Sequence, residues 1–585
     1  MPNPNAALYK EPVRSLSILM TGLEEWAVNV SLGLIGSLGI LYMAAYTILL
    51  VHLPFQSITI ISFFALLSIL LLLFIKFAKF DRWRSLWLNL FLVGAVILVS
   101  IYCAGSIYDT SFDGQGYHQL AAFSIHNGWN PLYQTNFSDS LWVEDYPKGA
   151  WLLSAAIYTL TGHLESGKAI NLILMVAAFC STLGALLQIC STFGTKTLSR
   201  KPWITHILRT ILVILIAACA ACNPITIVQL FTNYNDGLIA SLLLTLISTG
   251  VYYVLTHERR VLVQSAVAIV LLVNIKFTAI AYAGLICGWL VIAMMLIQLK
   301  TGEAKMWKSP HITRAILVFL GSAFIGILLF GWNPYVVNTY KHGHPFYPLA
   351  GKDAIDIMTL NSPDNFIGKN RLETFLISYT SKTEDAVTPM HSTPAELWPI
   401  AWKDYRNVNV DTRVNGFGPL SPWIFILSVC LWVMLLIWRW RIGLLSTLLI
   451  LALLSTVFIN PEPWWARYVP QLWLVPLLLV TVGWLTHRRL VQMLAILVLI
   501  VCGIGVFKTA DSIILLQVEH SELVKTQFSE LYGKQLSIDP QGFISPLVHL
   551  AERGITYKLA DKEALCSSTV QFAFTPAQYC IRTGE

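Results

Sequence analysis

Residues 86–118 read LWLNLFLVGAVILVSIYCAGSIYDTSFDGQGYH, and the change of character after residue 107 decides how the chain is organised. The first part, 86–107, is apolar and uncharged, and a helix needs about 20 such residues to cross a bilayer. The second part carries Asp109, Asp113, Tyr117 and His118 within eleven residues. The pattern predicts a membrane helix that delivers carboxylates and a Tyr-His pair to one membrane surface.

The same period of long apolar runs and short polar breaks extends in both directions. Candidate spans are 30–52, 57–77, 86–107, 169–193, 206–230, 237–256, 261–275, 277–299, 314–333, 421–438, 442–459, 468–486 and 490–507. The run 149–161 is shorter than a crossing requires and reads as a helix dipping into one leaflet. Composition agrees: of 585 residues, 56% are hydrophobic and 12% charged. Soluble domains run at about 25% charged, so an ordinary soluble protein is excluded, and 12% aromatic content excludes disorder. The net charge of +7 is spread over short loops rather than gathered in a stripe, which argues against a nucleic-acid partner. The ten cysteines follow no metal-binding spacing, and most sit in apolar runs, where Cys behaves as a small hydrophobe. The expected fold is an all-α polytopic bundle of about 13 membrane helices.

Basic residues orient that bundle. Lys76/Lys79/Arg82/Arg84, Lys196/Arg200/Lys201, Arg259/Arg260, Lys300/Lys305/Lys308, Arg439/Arg441 and Arg488/Arg489 all fall on one side if 149–193 makes a single net crossing. That side is cytoplasmic, with the N-terminus inside and the C-terminus outside. Two full crossings in 149–193 would instead place Lys196, Arg200 and Lys201 outside. Glu24 and Glu25 follow the N-terminal apolar run, so the first span reads as a signal anchor rather than a cleaved signal peptide. Residues 1–507 then form the membrane domain, with outer loops at 108–148 and 334–420. Residues 508–585 form a small outer domain, α+β or helical, in which Cys566 and Cys580 are a candidate disulfide.

The outer side collects the unusual polar residues. Beside Asp109, Asp113 and His118 stand Lys148 at 145–148 and Asp236 in Asn233-Tyr234-Asn235-Asp236-Gly237. Lys276 occupies a tight turn between two apolar runs, His342 and His344 lie in a loop, and Arg467 follows Trp464-Trp465-Ala466. Ionisable groups at membrane depth are costly and are candidates for function. Each also has a plain structural role open to it. Asp109, Asp113 and Asp236 suit helix N-termini, Lys276 can snorkel, Arg467 can anchor at an interface, and the histidines can be ordinary loop residues. Together, cations suit a lipid phosphate, aromatic rings suit a sugar face, and a desolvated carboxylate suits activation of a hydroxyl. That combination describes sugar transfer from a lipid-phosphate carrier.

These residues resemble the GT-C superfamily of membrane glycosyltransferases. The nearest likeness is to dolichyl-phosphate-mannose-protein mannosyltransferases and the lipid A aminoarabinose transferase. The resemblance rests on Asp113 with Tyr117-His118, Gly128-Trp129-Asn130-Pro131, Tyr146-Pro147-Lys148, Asn235-Asp236, Asn274-Ile275-Lys276-Phe277-Thr278 and Gly343-His344-Pro345-Phe346-Tyr347-Pro348-Leu349. It covers roughly residues 30–480. It implies a polyprenyl-phosphate sugar donor and a glycan, lipid or protein acceptor outside a bacterial inner membrane. Asp113 would be the catalytic base, with Asp109 as the second candidate. His118, Lys148, Asp236, Lys276, His344 and Arg467 would bind substrate. Asp109 and Asp113 stand four apart, whereas many relatives carry adjacent or alternating acids; this favours a metal-independent reaction and leaves a divalent metal as the alternative.

Gly162 to Lys168 imitates a phosphate-binding loop but has Ala169 where a Ser or Thr would bind magnesium, and no strand precedes it. Cys219 and Cys222 fit helix packing better than redox chemistry. The rival readings are a lipid-linked glycan polymerase or ligase, a transporter or flippase, and a non-catalytic scaffold.

Overall fold

The computed structural model describes residues 10–77, 86–134, 137–138, 140–193, 202–300, 309–384, 391–395, 402–486, 488–560 and 568–582. Among these residues nine helices are long and apolar enough to cross a membrane: Met20–Leu50, Asn89–Ser106, Leu164–Phe193, Asp236–Thr256, Phe277–Lys300, Pro310–Phe330, Ser421–Trp438, Trp440–Phe458 and Arg489–Glu530. Each overlaps an expected span, and the chain is a polytopic, largely helical membrane protein. The other four expected spans correspond to the helices Ser57–Phe77, Pro202–Ala221, Arg259–Ile275 and Leu474–Leu485, which lie outside that set.

Two of those four are shorter than their apolar runs for local reasons. The run 206–230 breaks at Asn223-Pro224, where the Asn223 side chain accepts a hydrogen bond from the Ile225 N–H at 2.9 Å and Pro224 opens the short helix Pro224–Val228. The run 468–486 begins as 3₁₀ turns, Ala466–Tyr468 and Pro470–Trp473, before the α-helix starts at Leu474.

Helix Gly149–Thr161 is buried along nearly its whole length and ends at Gly162 in the left-handed region (φ 73°). Its first residue meets the turn before Lys276: a Cβ on Gly149 would lie 2.6 Å from the Asn274 backbone oxygen. Near its other end the Thr159 carbonyl accepts the Ser57 hydroxyl at 2.7 Å. Its two ends thus pack beside two inter-helix connections, the one before Ser57 and the one at Lys276.

Leu164–Phe193 and Asp236–Thr256 form the centre, with most of their apolar stretch buried, whereas Phe277–Lys300 and Pro310–Phe330 at the periphery leave most of theirs uncovered. Polar pairs tie the central helices together: Thr182 with Ser248 at 2.9 Å, Thr249 with Ser265 at 2.8 Å, and the Ser31 hydroxyl on the Ala177 carbonyl at 2.9 Å. In apolar surroundings an unpaired hydroxyl is costly, so such pairs set the register between helices. One end of the bundle is held by Tyr252 on Glu24 and Arg260 on Asn29. The opposite end gathers the loops at 107–148, 229–235, 276 and 460–469.

The last apolar helix does not stop at residue 507. Arg489–Glu530 is one helix of 42 residues, about 63 Å long at 1.5 Å per residue. The expected boundary at 507/508 thus falls inside it, and the helix runs from the bundle into the C-terminal domain. That domain is α+β. Strands β1 (Leu536–Asp539), β2 (Tyr557–Leu559), β3 (Val570–Gln571) and β4 (Gln578–Ile581) form a sheet in the order β2-β1-β4-β3. β1 and β2 are parallel, connected through helix Ser545–Glu552, and β4 is antiparallel to β1 and β3. Phe528, Leu536, Ile538, Leu550 and Phe572 fill its core. Cys580 is disulfide-bonded, and its expected partner Cys566 lies outside the described residues.

Candidate functional site

A cavity of about 420 Å³ opens where the loops converge, within the usual size of a small-ligand site. Five of the eight expected site residues line it: Asp113, His118, Asp236, Lys276 and Arg467. They come from four separate segments, and each is held for a definable reason.

Asp113 stands at the start of a π-helical turn, Gly114–His118, that runs into helix Gln119–His126. Its side chain makes no capping hydrogen bond, so the helix-cap role does not apply. The carboxylate instead meets the Tyr234 hydroxyl and faces Arg467. Burial pushes its pKa above the ordinary carboxylate value, and Arg467 and the Tyr234 hydrogen bond oppose that rise only in part. His118, buried behind it, accepts the Trp151 indole N–H on Nδ1 at 2.8 Å. Indole nitrogen is only a donor, so the neutral ring carries its proton on Nε2. Burial depresses the His118 pKa to about 3, which keeps the ring neutral.

Asp236 and Lys276 form a buried ion pair of 2.5 Å across the cavity wall. Lys276 adopts extended backbone (φ −155°, ψ 142°) between helices Arg259–Ile275 and Phe277–Lys300, and its ammonium lies 4.3 Å from the Tyr468 ring centre. It does not snorkel away. Gln229 donates to the other Asp236 oxygen at 3.2 Å. Arg467 is buried, not an interfacial anchor. It sits among the rings of Tyr234, Trp465 and Tyr468, 4.7–5.3 Å from their centres, and pairs with Asp411 at 2.9 Å. Among the described residues nothing accepts a hydrogen bond from its Nε, which leaves a buried cationic donor unpartnered.

Three expected site residues lie elsewhere. The Asp109 carboxylate accepts four hydrogen bonds, from the Ser111 N–H and hydroxyl and from the Asn233 N–H and side-chain amide, all within 2.9 Å. It ties two loops together and does not line the cavity. Lys148 turns its ammonium to the carbonyls of Glu144 (2.6 Å) and Tyr146 (2.5 Å), and burial lowers its pKa to about 7. His344 accepts the Phe346 N–H on its Nδ1, inside its own loop. His342 pairs with Asp145 at 3.5 Å and stacks on Tyr347. In the segment that imitates a phosphate loop, the Lys168 ammonium is bound to Glu165 and to the Ile107 carbonyl. Cys219 and Cys222 are both free thiols.

Sequence reasoning missed several groups in the wall. Tyr117, Tyr146, Tyr234 and Tyr468 supply an aromatic lining, and Asp356 and Glu462 add carboxylates to it. Tyr117, Tyr146 and Tyr234 stood inside the quoted motifs and Tyr468 directly follows Arg467, but none was named as a site residue. Asp356, in a long mixed loop, and Asp411, paired with Arg467, carry no local signal.

The sequence matches no protein-family model and no curated protein. The site's chemistry therefore carries the functional argument.

Proposed function

We propose that the protein is an integral-membrane glycosyltransferase of GT-C type that moves a sugar from a polyprenyl-phosphate carrier to a hydroxyl acceptor. One observation carries the reading: a desolvated carboxylate, Asp113, shares an aromatic-lined cavity with the cations Lys276 and Arg467. In this reading Asp113 takes the proton of the acceptor hydroxyl as its oxygen attacks the anomeric carbon. The bond from that carbon to the carrier phosphate breaks, and the anomeric configuration inverts. Lys276 and Arg467 face the leaving phosphate, fixed charges aimed at where negative charge develops. The unpartnered Arg467 Nε supports this role, because Asp411 already engages the other side of the guanidinium. The His118 Nε2–H donates to the acceptor or the phosphate, and the tyrosine rings pack on sugar faces.

The cavity lies at the outer surface of a bacterial inner membrane crossed about 13 times. Asp236–Thr256 begins at the cavity, so Arg259 and Arg260 stand about 30 Å away at the other end, where the positive-inside rule puts the cytoplasm. Gathering of the ionisable groups at one end favours surface chemistry over a transport path, whose sites lie near the midplane.

The test is direct. Purified protein in lipid nanodiscs receives a polyprenyl-phosphate sugar, and release of polyprenyl phosphate is followed alongside lipid extracts of cells with and without the gene. A carrier-linked sugar should accumulate without the gene. Identical extracts, with no release from a panel of carrier sugars, would sink the proposal.

A further inference from the structure

The C-terminal domain makes a continuous set of contacts with the segment that bears Asp113. Before Asp113, the Tyr108 N–H donates to the Ser521 hydroxyl at 3.0 Å, Arg553 donates to the Tyr108 hydroxyl at 2.9 Å, and Thr110 meets His520 at 3.3 Å. Beside it, Phe112 packs edge-on against Phe543 with ring centres 5.2 Å apart. After it, Gln115 donates to the Phe574 carbonyl at 3.0 Å, and the Ser545 hydroxyl donates to Gln119 Oε1 at 2.5 Å.

Behind these contacts lies a buried charged cluster that the proposed chemistry does not use. His549, on helix Ser545–Glu552, is 3% exposed and places Nε2 3.0 Å from Glu165 and Nδ1 3.6 Å from Glu552. Glu165 is the junction. One oxygen also accepts Gln119 Nε2 at 3.0 Å; the other accepts the Asp109 N–H at 3.1 Å and is bound by Lys168. Asp109 in turn is locked to Asn233, next to the Tyr234 that touches Asp113.

We infer that the C-terminal domain is a positioning element of the cavity: His549, acting through Glu165, holds the Tyr108–His118 segment so that Asp113 faces the substrate. The inference rests on the proposed function for its catalytic consequence but not for the positioning itself. The groups that face His549 are Glu165 and Lys168 from the 3₁₀ turn Leu164–Lys168, Glu552 from its own helix with Arg553 just after it, and Tyr108 from the Asp113 segment. His163 also lies 3.9 Å from Glu552. Burial lowers the His549 pKa, and Glu165 and Glu552 more than reverse this, so it ends above the ordinary histidine value. The stabilisation is then fully present below the unfolded pKa and lost as pH rises through the folded one.

Hydrogen–deuterium exchange of the full-length protein in nanodiscs reads this without any substrate. Amides of 108–118 should lose protection as pH rises through the His549 transition, and His549→Gln should show the unprotected exchange at every pH. Should His549→Gln fail to fold, Glu552→Gln decides. It keeps an oxygen for the Leu164 N–H but weakens the hold on the proton, so the transition should move to lower pH. Unchanged protection of 108–118 across pH and in these variants overturns the inference. In the transfer assay, His549→Gln should lower kcat on the order of 10²-fold with little change in KM, the cost of a small misplacement of a reacting group. In an Asp113→Asn background the same change should cost nothing further, because the two residues act as one unit. An equal loss in both backgrounds also overturns it. If the wild type transfers no sugar at all, the functional reading fails while the exchange result still decides the positioning.

Discussion

Lys276 Nζ lies 2.5 Å from Asp236 Oδ1, joining a turn between two apolar helices to the first residue of a third. Both side chains are largely buried, 13% and 5% exposed, so removing either partner leaves a poorly solvated charge.

Lys276→Met or Asp236→Asn should therefore lower stability by roughly 3–5 kcal/mol, the range for leaving one charge of a buried pair unpaired. The double variant should recover part of that loss. Thermal unfolding of the four proteins in one detergent measures the coupling, and additive losses would remove the pair from the account.

Asp113→Asn should reduce turnover by about 10²–10⁴-fold, the usual worth of a general base, and should stabilise the protein. A carboxylate whose folded pKa is raised binds its proton more tightly in the folded chain. Stability falls as pH rises from the unfolded pKa to the folded one and stays lower above it. Removing the charge lifts that penalty at neutral pH. A less stable Asp113→Asn protein would contradict the desolvation argument.

Activity should rise with pH through a transition above the ordinary carboxylate pKa of about 3.9, because Asp113 must lose its proton to act as a base. A pH–rate profile of kcat/KM checks this, and a transition at or below the ordinary value contradicts it.

Asp109→Asn should lose stability even though burial also raises the Asp109 pKa, because an amide nitrogen would face the two donors that one carboxylate oxygen now accepts at the loop junction. At about 1.5–3 kcal/mol for a hydrogen bond to a charged group, thermal unfolding should resolve the loss readily.

Gly149→Ala should destabilise by about 1–3 kcal/mol, since its new Cβ would press on the Asn274 backbone oxygen beside the Lys276 turn. Gly94→Ala, with open space around it, is the control and should be near neutral.

The helical bundle was legible because hydropathy is a property of consecutive residues. The nine long apolar helices fall where the apolar runs are, and Asn223-Pro224 marks a break that the run 206–230 conceals. The site was legible in part. Asp113, His118, Asp236, Lys276 and Arg467 stand out as polar residues beside apolar runs, and the cavity gathers all five. Lys148 and His344 carry the same local signature yet bond within their own loops.

The amino-acid order alone determined that this chain forms a membrane bundle with its polar residues at the ends of apolar helices, since burying long uncharged runs dominates the free energy. Only the tertiary structure decided which of the polar residues meet. Asp236 meets Lys276, Asp411 meets Arg467, and Glu165 meets His549. A charge in a low-dielectric interior is tolerable only beside its partner, and no run of neighbours in the chain says where that partner will be.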